Sequence, residues 1–419
     1  MRRGGNTDTI ARSRTDKFGR YYSREAIGRL LVEQMSMCRP AKVLDLGVGE
    51  GALSTAAADR WPDIELLTVD IDRRVGEWLA KHVGSIGRIR HGHLRADALS
   101  PMAAKWVRAR LGKVDAAVCN PPFLAPKWRK GFGEILEDAG FSGCIPVLSD
   151  VDAATLFLAQ NLRLIGERGT LGIILPDSLI SAAKHRSFRQ ALLSQYKVHS
   201  ATRLPRSSFH RTDALAHILI IEKGEGPTQT VDMRYLVAGH GLSTSVHVDA
   251  SLAADRLDIN YHRATAARQC ETPTSMPLRA FVTRLARGSF SSAERAHSAA
   301  PIFHTTEMTL PRNGRWCDLT EFGSMTAVNQ RGEIARPGDI LIARVGRKLE
   351  EKVLGVAAGS TLISDSVYCL RVRPELRETT LKQLCSSWGR TWLADRAYGV
   401  GARQLTKADL LEFPISSNY

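Results

Sequence analysis

The tetrapeptide Asn120-Pro121-Pro122-Phe123 is the stretch of this 419-residue sequence best suited to chemistry. Consecutive prolines hold the backbone extended and withhold their own N–H donors, so the oxygens of the segment are left to accept. The Asn120 side-chain oxygen and the Pro121 carbonyl can together take hydrogen bonds from one exocyclic amine. An amine conjugated into a heteroaromatic ring is a weak nucleophile because its lone pair is delocalised. Two acceptors favour a more tetrahedral nitrogen at the moment of attack. Phe123 offers a ring face to the base. No strong general base is needed, because the ammonium formed on alkylation sheds its proton to water.

A second constellation lies upstream. The run Asp45-Leu-Gly47-Val-Gly49-Glu-Gly51 follows an apolar segment, and its glycines let the backbone turn tightly and approach a ligand at a strand's carboxyl end. The next apolar segment ends in Val69-Asp70-Ile71-Asp72, about 20 residues on, where a carboxylate can accept from both hydroxyls of a ribose. Asp70 is favoured over Asp72 for that task. Asp97 ends a third segment and can accept the exocyclic amine of an adenine. A single acidic strand end is more often a helix cap or a solvated loop residue, but three in order point to a nucleoside ligand. The G-x-G-x-x-G spacing of dinucleotide binders is absent.

The elements that must position these groups follow from periodicity. Apolar runs at KVLDL, IELLTV, VDAAVC, TLGIIL and LAHILIIE alternate with helical stretches, notably 152–165 and 183–195. Ile27, Leu30, Leu31 and Met35 fall on one face of an earlier helix. This alternation predicts an α/β fold with a mixed, mostly parallel sheet and helices on both faces. Beyond about Gly239 the alternation fades, and from about residue 275 it gives way to short strands and irregular loops. We expect a catalytic domain over 1–240 with a basic N-terminal arm, a linker over 241–275 and a smaller α+β domain over 276–419.

The glycine loop resembles that of S-adenosylmethionine-dependent methyltransferases. Asn120-Pro121-Pro122-Phe123 resembles the (D/N/S)PP(Y/F) segment of amino-methyltransferases, and among them the gamma-class N6-adenine DNA methyltransferases. Phe18-Gly-Arg-Tyr-Tyr22-Ser23 is similar to the cofactor segment that precedes the loop in that class. It departs from the class at Ser23-Arg24, usually Thr-Pro, and at Asp45-Leu46, usually Asp-Pro. The resemblance implies a Rossmann-like fold and S-adenosyl-L-methionine held by Tyr22, Asp45, Gly47, Gly49, Gly51, Asp70 and Asp97. It also implies catalysis by Asn120, Pro121, Pro122 and Phe123. Residues 169–178 resemble the strand-to-loop segment after the catalytic helix, and residues 204–219 the segment whose aromatic, here Phe209, packs against a flipped adenine. Extruding a paired base costs a few kcal/mol. Phe123 and Phe209 would offset that cost by sandwiching the base, while Lys127, Trp128, Arg129 and Lys130 contact phosphates.

Residues 278–419 resemble one target-recognition domain of a type I restriction specificity subunit. The matching pieces are Arg287-Gly-Ser289, Ile302-Phe-His-Thr-Thr306, the run from Arg336 through Asp339 to Arg344, and the ending from Gly401 to Ile415. The implied partner is duplex DNA, with any cleavage carried by a separate cognate restriction endonuclease. Pro337-Gly-Asp339 with Glu350-Glu-Lys352 is similar to a nuclease acid-acid-lysine arrangement, but no second acidic cluster accompanies it.

Composition agrees with a polyanionic partner, since 58 Lys+Arg against 43 Asp+Glu leave a net charge of +15. The first 29 residues alone hold eight basic side chains against three acidic. Seven scattered cysteines with no CxxC pair exclude a zinc finger, so no metal is expected, and they suit a cytoplasmic protein. No apolar run approaches the roughly 18 residues of a membrane span, and no hydrophobic stretch follows the N-terminal arginines. Two other functions fit the same residues. One is an RNA amino-methyltransferase using the same Asn-Pro-Pro-Phe chemistry, and the other a non-catalytic DNA-binding module that senses the cofactor.

Overall fold

The computed structural model describes residues 25–36, 39–83, 86, 88–145, 151–209, 213–237, 241–270, 275–298, 301–308, 315–322 and 332–416, the side chains of 207 and 267–270 aside. Helix α1 (Glu25–Gln34) precedes strand β1 (Lys42–Leu46), and helix α2 (Ala52–Arg60) leads to β2 (Glu65–Asp70). Then follow α3 (Arg73–His82), β3 (Arg90–Arg95), α4 (Ala103–Leu111) and β4 (Val114–Cys119). Short α5 (Phe132–Asp138) and α6 (Ala153–Leu164) lead into β5 (Ile165–Pro176). Next come α7 (Asp177–Ser181), α8 (Arg186–Gln195), β6 (Lys197–Arg203), β7 (Ala216–Glu222) and β8 (Thr230–Val237).

These strands lie in the order β3-β2-β1-β4-β5-β7-β6-β8. β1 to β5 run parallel to one another, while β7 is antiparallel to both β5 and β6. Position in the sheet explains the text of each strand. β1 and β4 sit centrally with both faces covered, so their residues are almost all buried and read as continuous apolar runs. β3, at the edge, is half-buried and can afford Arg90, His91, His93 and Arg95. α6 is buried along nearly its whole length, and the Asp152 side chain caps it by accepting from the Thr155 backbone N–H.

The sheet runs on past the expected boundary. The stretch 241–275, expected as a linker, carries β9 (Gly241–Leu242), β10 (Val246–Asp249), α9 (Ala250–Ala253) and α10 (Ile259–Cys270). β10 pairs antiparallel with β8, and Val248, Ala253, Ala254, Leu257 and Ile259 join the core of the main sheet. Polar spacing hid this because an edge strand needs only one apolar residue turned inward.

A separate core gathers the C-terminal residues around Leu341, Val356, Leu370, Trp392 and Phe413. Its five-stranded sheet runs Val282–Arg287, Val367–Val372, Ile340–Ala343, Val353–Ala358, Trp316–Asp318, and two helices, Arg377–Cys385 and Ser387–Arg396, follow its last long strand. Pro414–Ser416 pairs with Ser275–Pro277, so the end of this region closes on its beginning. No described helix is long and apolar enough to cross a membrane.

Candidate active site

Parallel strands ending side by side bring four sequence segments to one edge of the sheet. The glycine turn after β1, Asp70 at the end of β2, Asp97 just past β3 and Asn120 just past β4 line a common cleft of about 250 Å³. Loops at the carboxyl edge of such a sheet, where chain crossovers diverge, leave a crevice for ligand.

The turn is built on left-handed glycines, with φ of +76° at Gly47, +58° at Gly49 and +78° at Gly51. A side chain would be strained at each. A Cβ on Gly47 would also sit 3.0 Å from the Phe157 ring, which forms the opposite wall. The turn is tied to its neighbour strand, because Gly47 N–H donates to the Val69 carbonyl at 2.8 Å and Gly49 N–H to Asp70 Oδ2 at 2.9 Å. Asp70 Oδ1 accepts from Asp72 N–H at 2.8 Å. Each oxygen of Asp70 thus takes one backbone donor and keeps a lone pair for a ligand hydroxyl.

Asp45 is placed otherwise. It is 1% exposed beneath the turn, accepts from Ser54 Oγ at 2.6 Å, and does not line the cleft. Its other oxygen, Oδ1, has no hydrogen-bond partner. Burial, with the nearby Asp70 charge adding to it, pushes its carboxyl up to about 7, against the pull of the Ser54 hydroxyl. The expected cofactor contact of Asp45 is corrected to support of the turn from below. Tyr22 lies outside the described residues, as do all of residues 1–24 of the basic arm.

Asp97 does line the cleft, but both its oxygens have protein partners. Oδ1 accepts from Leu99 N–H at 2.9 Å and Oδ2 from Arg129 Nη2 at 2.5 Å. Arg129, expected on a phosphate, therefore folds back across the cleft edge and leaves Lys127, Trp128 and Lys130 facing outward. Trp128 is 40% exposed and meets Phe132 edge-on, with ring centroids 5.6 Å apart. Phe123 and Phe209 come together as expected, but at right angles (79°) with centroids 6.2 Å apart, and Phe209 is 2% exposed. A base sandwiched between parallel rings needs them to turn and separate from this arrangement.

Some lining residues carried no signal in the sequence. Phe157 reads as one more apolar residue of a buried helix, and Ile71, 57% exposed at the cleft, as a loop residue. Gln160, fully buried, donates to the Ala98 carbonyl at 2.9 Å and so holds the segment after Asp97. In the C-terminal region the nuclease-like trio is dispersed. Asp339 forms a two-pronged pair with Arg371 at 2.7 Å, Glu350 meets Arg403 at 2.5 Å, and Lys352 donates to the Thr305 carbonyl.

The cleft suits a cationic nucleoside. It combines backbone without side chains at the turn, carboxylates at Asp70 and Asp97, and apolar walls from Leu53, Ile71, Leu99 and Phe157. A sheet wound in this order with its cleft beside β1 is the class I fold of S-adenosylmethionine-dependent methyltransferases. The chain belongs to the N-6 DNA Methylase family, whose sequence model matches residues 8–241, more than half its length. That membership and fold imply S-adenosylmethionine as cofactor.

Among curated proteins, it is 26% identical over 140 residues to the tRNA1(Val) (adenine(37)-N6)-methyltransferase of Flavobacterium psychrophilum, a match covering 33% of this chain and 53% of that one. Among solved structures, the type IIG restriction endonuclease BpuSI aligns over 94% of this chain and 58% of its own, with a TM-score of 0.51 at 12% identity. A type I restriction-modification methyltransferase subunit from Streptococcus thermophilus aligns over 62% of this chain and 55% of its own, with a TM-score of 0.44 at 19% identity. The chain thus spans only about half the length of each relative named here.

Proposed function

We propose that this protein transfers a methyl group to the N6 amine of adenine in duplex DNA. The observation that carries the reading is the position of Asn120 and Pro122, just past the end of the central strand and on the cleft shared with Asp70 and Asp97. S-adenosylmethionine, when bound, supplies an electrophilic methyl on a sulfonium.

The chain's own residues do the rest. Asp70 takes the ribose hydroxyls, the glycine turn admits the amino-acid end, and Asp97 turns one oxygen toward the adenine ring of the cofactor. Asn120 and the Pro121 carbonyl accept from the two hydrogens of the target amine and hold its lone pair on line, while Pro122 keeps the segment extended. Phe123 supports the base, and Phe209 closes the other side after reorienting. The proton leaves to water once the amine is alkylated. Lys127, Trp128 and Lys130, all exposed, meet the strand from which the base has left.

The second core, 276–416, reads the DNA sequence in this proposal, as a target-recognition domain does. It is supported by the +15 balance and by ordered resemblance along that region. The protein then works in the cytoplasm as a restriction-modification or solitary modification enzyme, with any cognate endonuclease a separate chain. The tRNA-methylating relative makes RNA the second reading.

Labelled S-adenosylmethionine offered with unmethylated duplex DNA and, separately, with unmodified tRNA decides between them. Label on N6-methyladenine of DNA is the expected result. Label confined to tRNA would transfer the mechanism to RNA, and label in neither would favour a cofactor-sensing module.

A further inference from the structure

The described residues on either side of Phe209, 204–208 and 213–215, make contacts with the far end of the chain. The two N–H groups of Arg206 Nη1 are shared among three carbonyls, those of Asp213 at 2.9 Å, Val400 at 3.1 Å and Gly401 at 3.2 Å. Leu215 N–H donates to the same Val400 carbonyl at 2.9 Å. The Val400 side chain packs on the apolar cluster that contains Leu204, Phe209 and Ala214, against which Phe123 also rests. Arg347 adds an ion pair with Asp213 at 3.2 Å.

The other face of the same turn is anchored in the catalytic half, where Gly399 N–H donates to Asp177 Oδ2 at 2.6 Å. Asp177, His217 and Asp258 are buried together and sit close enough to suggest a metal site. Both carboxylates already have protein partners. The two carboxylates face opposite ring nitrogens of His217, at 3.9 and 3.8 Å, and Asp258 is paired with Arg203. Asp177 in turn accepts from Ser181 and Gly399, so the trio stands as a polar wedge behind the turn.

We infer that the turn 398–401 is a working part of the target-base pocket, and that Arg206 is a positioning residue. Through its three carbonyls Arg206 sets the wall bearing Phe209, so that the C-terminal region shapes capture of the extruded base as well as choosing sequence. This rests on the reading of Phe209 as a base-stacking residue, and the contacts themselves can be tested without it.

The full-length chain is compared with Arg206→Met, which keeps the aliphatic stem and removes every donor, and with Val400→Ala, a truncation of a half-exposed side chain. In hydrogen-exchange mass spectrometry, peptides covering 204–216 should exchange at least about tenfold faster in both variants, while peptides of the glycine turn stay unchanged. Methyl transfer to a paired adenine, in the site that sequencing of wild-type-treated DNA reveals, should fall about tenfold in kcat at unchanged affinity for S-adenosylmethionine. Placing that adenine opposite an abasic nucleotide, which removes the unpairing cost, should restore most of the loss.

Unchanged exchange in 204–216 would overturn the inference. So would faster exchange with wild-type kcat, or a loss of kcat that the abasic partner does not relieve. A wild-type chain inactive on every nucleic acid would remove the functional reading alone. Exchange would then decide by itself whether the turn holds this wall.

Discussion

Replacing Asn120 by Ala removes the side-chain acceptor at the end of β4 but leaves both prolines and the cleft walls standing. Turnover should fall by about 100-fold or more, the typical loss for one preorganised group aimed at a reacting atom. Affinity for S-adenosylmethionine, measured by titration calorimetry, should stay within about threefold, because the charged and apolar cofactor contacts are untouched. A variant with wild-type kcat would end the acceptor role. Asp45 makes a different prediction. Burial raises its carboxyl to about 7 in the fold, against an ordinary value near 3.8. The folded state therefore binds the proton more tightly, so the group's stabilising contribution is whole below about pH 4 and is lost as pH climbs through about 7. The cofactor-free wild type should lose several degrees of Tm across that window relative to Asp45→Asn, at about 2–4 °C per kcal/mol. Parallel profiles for the two proteins would assign the titration elsewhere.

At the scale of elements, the glycine turn is the most brittle part of the site. Gly47→Ala puts a side chain into left-handed backbone, at a cost of about 1–2 kcal/mol, and presses it against Phe157. The turn should shift off Asp70, and the Kd for S-adenosylmethionine should rise roughly tenfold, since 1.4 kcal/mol is a factor of ten. Unchanged cofactor affinity would show that the turn tolerates the displacement. Central strands and buried helices were legible because burial on both faces leaves an unbroken apolar record. β10 and α10 were not, since an edge strand and a half-exposed helix share their composition with loops. Arg189 shows the same limit from the other side. It reads as a surface charge of α8, yet it is 1% exposed and donates to the carbonyls of Leu179, Ala182, Ala254 and Asp255. Burial brings its guanidinium down to about 9. Four carbonyls from two distant turns make a burial favourable that no local pattern announces.

Across the whole molecule, the two cores are joined by polar contacts that a cut would expose. Arg256 donates to the Arg396 carbonyl and to Asp409, and Arg396 donates to Thr265, in addition to the turn at 398–401. A chain ended at residue 270 should still bind S-adenosylmethionine within about threefold, because every residue lining the cleft precedes it. It should nevertheless melt several degrees lower, given about 1–3 kcal/mol for each buried polar group left without a partner. Sequence-specific DNA affinity should disappear, leaving weak binding that falls steeply with salt. A truncated chain with unchanged Tm would mean that the contacts between the cores contribute nothing to stability.

The chemistry of this protein was written locally. An Asn-Pro-Pro-Phe segment, a glycine turn and acidic strand ends are each short, and their function depends on backbone conformations that adjacent residues dictate, so order along the chain was enough to name a cofactor and a reaction class. What the tertiary structure alone decided is which groups face the ligand and which stand behind it. Asp45 went beneath the turn, Arg129 closed back on Asp97, and Phe209 met Phe123 edge-on. Arg206, three residues before Phe209, came to rest on a turn almost two hundred residues away. Such contacts join residues with no shared period or spacing, and they become favourable only once a fold has brought their partners to hydrogen-bond distance.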